Sequence, residues 1–220
     1  MKLTLSVSAF LCHKAQRKEI RIMKLKKFEI ILCLALVICI LFHFVSFAGS
    51  CASVKKDVLR LHIIANSDSK EDQALKLKVR DAVIKSGQVL FESAKSIEQA
   101  KQMARLNLEK IKQTAMHELK KNHCADSVTV RLTSAFFETR YYDGFTLPAG
   151  EYEALQIIIG KGEGHNWWCV MFPELCFATA GAVEKTDALN DAEKKLITSN
   201  PHVEVRFKCV EIYEKIKKIL

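Results

Sequence analysis

Residues 58–65 read VLRLHIIA, and they lead directly into Asn66-Ser67-Asp68-Ser69 and then KEDQALKLKVRDAVI over 70–84. Strict alternation puts Leu59, Leu61, Ile63 and Ala65 on one side of a strand and Arg60 and His62 on the other. The polar quartet ends that strand. With Ser69 as N-cap, Glu71 and Asp72 fall in the first helical turn, where carboxylates meet the positive end of the helix dipole. The helix is expected to run to about Lys85, with Leu75, Val79, Ala82 and Val83 as its apolar stripe and Gly87 stopping or loosening it. A strand, a capped turn and an amphipathic helix open the body of the chain.

Downstream, Ser96 and Gln99 form a capping-box pair. Apolar residues then recur at Ile97, Ala100, Ala104, Leu108, Ile111, Ala115 and Leu119, the spacing of one face of a single long helix. Its other face is rich in Lys, Glu and Gln, so it covers a sheet or another helix. Strands follow. Val128–Thr133 alternates, and Phe136–Tyr142 is aromatic enough to pair with it. Asp143-Gly144 and Leu147-Pro148-Ala149-Gly150 read as turns. Leu155–Ile159 and Trp167–Phe172 are apolar strands, expected to form a hairpin through Gly160-Lys-Gly-Glu-Gly164. A short helix at Ala188–Lys195, a last strand at Val203–Phe207 and a helical tail complete the pattern. The expected class is α+β: a mixed or antiparallel sheet packed against two or three helices in a single domain over 51–220.

Upstream of that domain the chain changes character. The whole carries 34 Lys+Arg against 25 Asp+Glu, a net charge of +9. Residues 1–28 hold eight basic residues and a single acidic one, Glu19, whereas 48–220 is nearly balanced with 26 basic against 23 acidic. The excess therefore lies outside the body, which argues against nucleic acid as a partner. After the basic stretch comes Ile30–Phe42, IILCLALVICILF, with no polar residue. Residues 1–50 thus form a basic n-region and an apolar segment, either a cleaved signal peptide or a membrane anchor over 30–48. The flanking positive charge keeps its N-terminal side in the cytoplasm, and both readings export the body. Met23-Lys-Leu-Lys-Lys-Phe makes a good n-region start of its own. Cys51 follows Ala-Gly-Ser in a faint likeness to a lipoprotein cleavage site, with Ala48 standing where an aliphatic residue is wanted.

Export permits disulfides. Cys169 and Cys176 bracket Pro173, so a small closed loop between them is the natural expectation, with lone buried thiols as the alternative. His117, His123 and Cys124 lack the spacing of a zinc site, and no metal or cofactor is expected. The Gly160–Gly164 loop is followed by a strand rather than the helix a phosphate loop needs, and Glu163 would repel phosphate. His165 and Cys169 are the one pair that could be cast as base and nucleophile. Against that, the Cys is embedded in an apolar strand. Adjacent Trp167 and Trp168 must point to opposite faces of their strand, so one of them is available to solvent or a partner.

Three stretches carry a resemblance: LRLHIIANSDSKEDQALKLKVRDAVI (59–84), LPAGEYEALQIIIGKGEGHNWWCVMFPELCF (147–177) and VEVRF (203–207). In these the chain resembles the stage II sporulation protein R family of endospore-forming bacteria. The resemblance implies an exported signalling protein and no enzyme. Such a protein crosses the forespore membrane into the space between the two septal membranes. There it triggers a membrane-embedded aspartic protease of the mother cell, which processes pro-sigma E. The surfaces this points to are the cap-and-helix region (Asn66, Asp68, Asp72, Arg80, Asp81) and the 160–168 segment with Trp167 and Trp168. A secreted cell-wall or peptide hydrolase using His165 and Cys169 is the alternative.

Overall fold

The computed structural model describes residues 2–142, 144–173, 183, 185–198 and 204–219, with backbone alone for 2–25, 204–206 and 218–219. Its contacts divide the chain into two units, Met1–Phe47 and Ala48–Leu220. Helix α1 (Lys2–Asp57) accounts for the described residues of the first unit. Ile30, Leu34, Ile38, Leu41 and Val45 are exposed along it, and the apolar stretch within Lys26–Asp57 is long enough to cross a bilayer. This is an N-terminal apolar segment of the signal or anchor type.

In the second unit, β1 (Leu59–Ile64) forms next to the end of α1, and α2 (Lys70–Phe91), α3 (Ile97–Leu106) and α4 (Leu108–Lys121) follow. Strands β2 (Val128–Phe137), β3 (Arg140–Tyr142), β4 (Phe145–Leu147), β5 (Gly150–Ile159) and β6 (Asn166–Phe172) come next, and then α5 (Asp191–Thr198) and α6 (Glu204–Ile219). The main sheet has the order β2-β5-β1-β6, and β3 and β4 form a separate ribbon. The pair β1–β5 is parallel, while β1–β6 and β2–β5 are antiparallel. The mixed sheet and its helices make an α+β fold, as the sequence pattern implied.

One face of the sheet presents Leu59, Leu61, Ile63, Val128, Leu155, Ile157, Ile159, Cys169 and Met171 to the buried stripes of α2, α3 and α4. The stripe foreseen over 97–119 is buried at Ile97, Ala100, Ala104, Ile111, Ala115 and Leu119. It is carried by two helices rather than one. Asn107 breaks the run, its backbone N–H donating to Ala104 O and its side chain to Met103 O. Helix α2 runs through Gly87 to Phe91, beyond the end expected near Lys85. Gly87 serves packing instead, because a Cβ there would stand 2.8 Å from Met171 Sδ.

Three further expectations are corrected. Phe136–Tyr142 does not fold back on 128–133; β2 runs on through Phe137 against β5, and β3 pairs with β4. Strands β5 and β6 are not a hairpin, since β1 lies hydrogen-bonded between them and the 160–164 loop arches over its end. Residues from 204 are helical, where a strand over 203–207 was expected. In VEVRF the two-residue alternation also spaces Val203 and Phe207 four apart, one helical turn, and five residues cannot separate the two periods. Phe207 and Val210 are buried by that helix.

The second face of the sheet is covered as well. Val54 at the end of α1, Val58 just after it, Phe145 and Leu147 from the ribbon, Val183, Leu189 and Ile197 pack onto Phe137, Tyr152, Ala154 and Val170. At the centre of this layer stands Arg60, fully buried. Its guanidinium carbon lies 4.3 Å from the Phe137 ring centroid, 5.0 Å from Tyr152 and 5.8 Å from Tyr142. Arg60 Nε donates to Cys169 O at 3.0 Å and Nη2 to Tyr142 Oη at 2.7 Å. No carboxylate pairs with it among the described residues. Three aromatic faces take the place of a counter-ion.

Removing that side chain leaves a cavity and strips the donors from Cys169 O and Tyr142 Oη. Arg60→Ala is expected to cost ~3–5 kcal/mol in urea unfolding, and Arg60→Met, which refills the volume, clearly less. Equal losses for the two variants would show that packing volume is not what the arginine supplies.

Candidate functional site

The segment after β1 and the loop after β5 are interlocked. Ser69 caps α2 by accepting from Asp72 N at 3.1 Å. The Asp72 carboxylate turns back and accepts from Ser67 Oγ at 2.6 Å and Asn66 Nδ2 at 3.0 Å. Those bonds, Ser67's first, hold the Asp72 carboxyl below the usual carboxylate range. Gln73 Nε2 donates to Ser67 O. Five side chains thereby fix the turn from inside, before any partner is considered.

The loop closes on that turn through its backbone. Gly160 N donates to Ser127 O, Lys161 N to Asn66 Oδ1, Gly162 N to Ile159 O, Glu163 N to Asn66 O and Gly164 N to Ala65 O. His165 N donates to Asp68 Oδ1 at 2.6 Å. Six consecutive N–H groups are therefore engaged within the chain. None remains to cradle a phosphate, which disposes of the phosphate-loop reading on structural grounds. Asn66 is the hub, because its amide and its carbonyl together serve Lys161, Glu163 and Asp72. Two glycines make the approach possible. Gly160 has φ +57°, and a Cβ on Gly164 would stand 2.2 Å from Ser67 O.

The exposed rim carries charge of both signs. Asp68 pairs with His165 Nδ1, and that contact leads the causes that lower the Asp68 carboxyl. Beneath them Lys76 is buried and donates to His165 O at 2.8 Å and Gln73 Oε1 at 2.5 Å; burial pushes its ammonium down against the opposing charge of Asp68. Lys161 and Glu163 point outward. Arg80 bonds Asp81 at 2.7 Å and lies 4.3 Å over the Trp167 ring. The two stretches singled out in sequence, 66–81 and 160–168, thus form one continuous surface.

The tryptophans divide as the strand requires, but neither stands free. Both are half-buried. Trp167 packs toward the helices under Arg80, and Trp168 stacks on His62 at 3.8 Å on the other face. His62 belongs to a polar row that the sequence did not reveal. Arg131 Nε donates to Gln156 Oε1 at 2.7 Å, so Gln156 turns its NH2 to His62 Nδ1 at 2.9 Å. That leaves Nε2–H to donate to Asn166 Oδ1 at 2.9 Å. An arginine, which can only donate, thereby fixes the tautomer of a buried histidine two strands away in the sheet. Burial, above all, holds the His62 pKa below its ordinary value, and the charge of Arg131 acts the same way. The available signal was register: Arg131, Gln156, His62 and Trp168 face one another across the four strands, and register is set by pairing rather than by local pattern.

Cys169 is buried and disulfide-bonded, so it offers no thiolate to His165. Cys176, its expected partner, lies outside the described residues. Cys51, weighed above as a lipid attachment point, is fully buried in α1, where desolvation pushes its thiol up to about 12. Among the described residues no group of three or more His, Cys, Asp or Glu is gathered that could hold a metal ion.

Two measurements test the interlock. Gly164→Ala drives a methyl into Ser67 O and is expected to destabilise by ~1–3 kcal/mol in denaturant unfolding; an unchanged midpoint would mean the loop is free to move away. For Asp72, whose folded pKa is depressed, stability is present above the unfolded value of about 3.9 and lost as pH falls through the folded value. Asp72→Asn should therefore flatten the acid limb of the melting-temperature profile below about pH 4 and lower the plateau above it. An acid limb of unchanged steepness in the variant would remove Asp72 from the linkage.

The family model described as stage II sporulation protein R matches residues 55–182, from the end of α1 through β6 and beyond. Stage II sporulation protein R of Bacillus subtilis (strain 168) is 40% identical over 144 residues, 64% of this chain. The match spans 64% of that relative's length. No solved structure matches. The matched segment contains both halves of the interlocked surface, the buried arginine and the whole main sheet, and the chain belongs to the stage II sporulation protein R family.

Proposed function

We propose that this sporulation protein is an exported intercellular signal that activates a membrane-embedded aspartic protease, which then processes pro-sigma E in the mother cell. The observation that carries this reading is the interlock itself. Its backbone polar groups are satisfied internally, while Asp68, Asp81, Lys161, Glu163 and His165 stand exposed around it. Charged side chains carried on a fixed backbone with no open amide nest are suited to recognition. On this reading Asn66 and Asp72 position the rim, Arg80 and Trp167 form its aromatic-cationic edge, and Trp168 borders its far side.

The apolar segment and the cysteines support export. Basic residues precede an apolar run and a folded body follows, which is the order an exported or anchored protein needs. The disulfide at Cys169, with Cys176 as its proposed partner, fits an oxidising compartment outside the forespore cytoplasm. The alternative of a secreted hydrolase loses its nucleophile to that disulfide.

The test places single charge reversals on the rim in a sporulating host and reads pro-sigma E processing by immunoblot beside the melting temperature of the purified variant. Asp81→Lys and Glu163→Lys are expected to lower the processed fraction by roughly tenfold with unchanged melting, the scale of an interface hot spot. Full processing by both variants would take this surface out of the signalling contact. In the same assay, Cys169→Ser and His165→Gln variants that fold and still support processing would end the hydrolase alternative.

A further inference from the structure

The ribbon of β3 and β4 brings a second guanidinium to the layer around Arg60. Along β3, Arg140 and Tyr142 lie two residues apart and share the half-buried face of the strand, while Tyr141 between them is exposed. Tyr142 Oη accepts from Arg60 Nη2. Arg140 Cζ stands 5.8 Å from the centroid of the Trp168 ring, and that ring meets Phe137 at 4.6 Å. Arg60 lies over Phe137, so the two arginines stand against the two rings of one aromatic pair. Burial, above all, lowers the Arg60 pKa, and the charge of Arg140 acts in the same direction.

Hydrogen-bonding groups collect here with nothing to take them up. Arg60 Nη1, Arg140 Nε and Thr139 Oγ1 are buried without a hydrogen-bond partner among the described residues. Tyr142 accepts one bond, and its own proton has no acceptor there. Burial raises the Tyr142 pKa against the charges of both arginines, so the hydroxyl keeps that proton. Aromatic faces offset the Arg60 charge, but they provide no acceptor in the plane of the guanidinium. Neither arginine has an ion pair among the described residues, and Glu138, next to Thr139 in sequence, is joined to Lys215 instead.

Each buried group without its bond carries a desolvation penalty, and neighbouring like charges add repulsion. Both costs fall on one spot, and one kind of occupant removes both. It accepts several hydrogen bonds, carries negative charge, and is small enough for a covered site. Guanidinium groups meet oxyanions in their own plane through paired N–H donors. Two positive charges call for a divalent species, since a carboxylate would match only one of them.

We propose that Arg60, Thr139, Arg140 and Tyr142 form a binding site for a small divalent oxyanion of the phosphate class. Arg140 and Trp168 are half-buried and mark the side from which it is reached. Entry requires the ribbon to shift, and no strand pairing holds the ribbon to the main sheet. Once bound, the anion fastens the ribbon to β1 and thereby closes the second layer over the sheet.

The experiment is thermal unfolding of the full chain in non-ionic detergent, followed by near-ultraviolet circular dichroism, with phosphate exchanged for sodium chloride at constant ionic strength. The expected result is a melting temperature that rises and saturates in its midpoint concentration, by about 5–10 °C at about a hundredfold excess over the dissociation constant. Arg140→Met keeps the stem but loses the charge and the donors, and is expected to abolish the rise. Arg105→Met, at an exposed arginine of α3, is expected to keep it. Thr139→Ala is expected to raise the dissociation constant about threefold or more. Absence of a rise overturns the site. So does a rise of equal size in Arg140→Met, which is phosphate acting on the protein surface at large. Should Arg140→Met fail to fold, Thr139→Ala decides alone, and an unchanged dissociation constant there overturns the proposal. An equal rise with acetate overturns the divalent class.

Discussion

A single guanidinium set among aromatic rings ties the central strand to the layer on one side of it. Arg60 is on β1, and its contacts reach each of the other main strands and the ribbon: Phe137 on β2, Tyr152 on β5, Cys169 O on β6 and Tyr142 on β3. Taking such a charge out of water is costly, and aromatic faces and two hydrogen bonds offset the cost only when all are in place. The second layer is therefore not merely apolar filling. It must bring Phe137, Tyr142 and Tyr152 to fixed positions around one cation, and the row of His62, Gln156 and Arg131 then lies alongside on the same face.

The local motif was legible for a physical reason. Ser69 as N-cap and Leu59, Leu61 and Ile63 as one strand face depend on neighbours in sequence, and the structure has both. What could not be read depends on partners far along the chain. Arg60 and His62 alternate with apolar residues as if they faced water, yet both are buried, because a second layer drawn from residues 54 to 197 covers them. The supposed hairpin failed likewise: two apolar strands joined by five residues look adjacent, and nothing local announces that β1 will insert between them. The 97–119 stripe shows the intermediate case, since its period survived a one-residue break at Asn107 that the pattern could not register.

The candidate site shows the same division. Asn66, Asp68 and Asp72 were identifiable as polar residues at a strand end, and a cap role explained them in part. Their larger task is to receive the 160–165 backbone, an arrangement that makes one surface from two segments nearly a hundred residues apart. Trp167 and Trp168 were rightly placed on opposite faces, but Arg80 and His62 cover them, so neither is a bare anchor. The backbone of such a frame is already ordered, so that meeting a partner restricts side chains alone, which favours binding by a preformed surface.

The parallel pairing of β1 with β5 joins Arg60 to Ala154 and Ile64 to Ile158, and the loop that follows locks onto residues 65–68. Contacts of that sequence separation form late, because the long intervening chain must be ordered before they return any free energy. A chain threaded across a membrane in unfolded form would therefore display no recognition surface on arrival. The surface would come into existence only once the sheet had closed, so that its appearance reports completed folding as well as delivery.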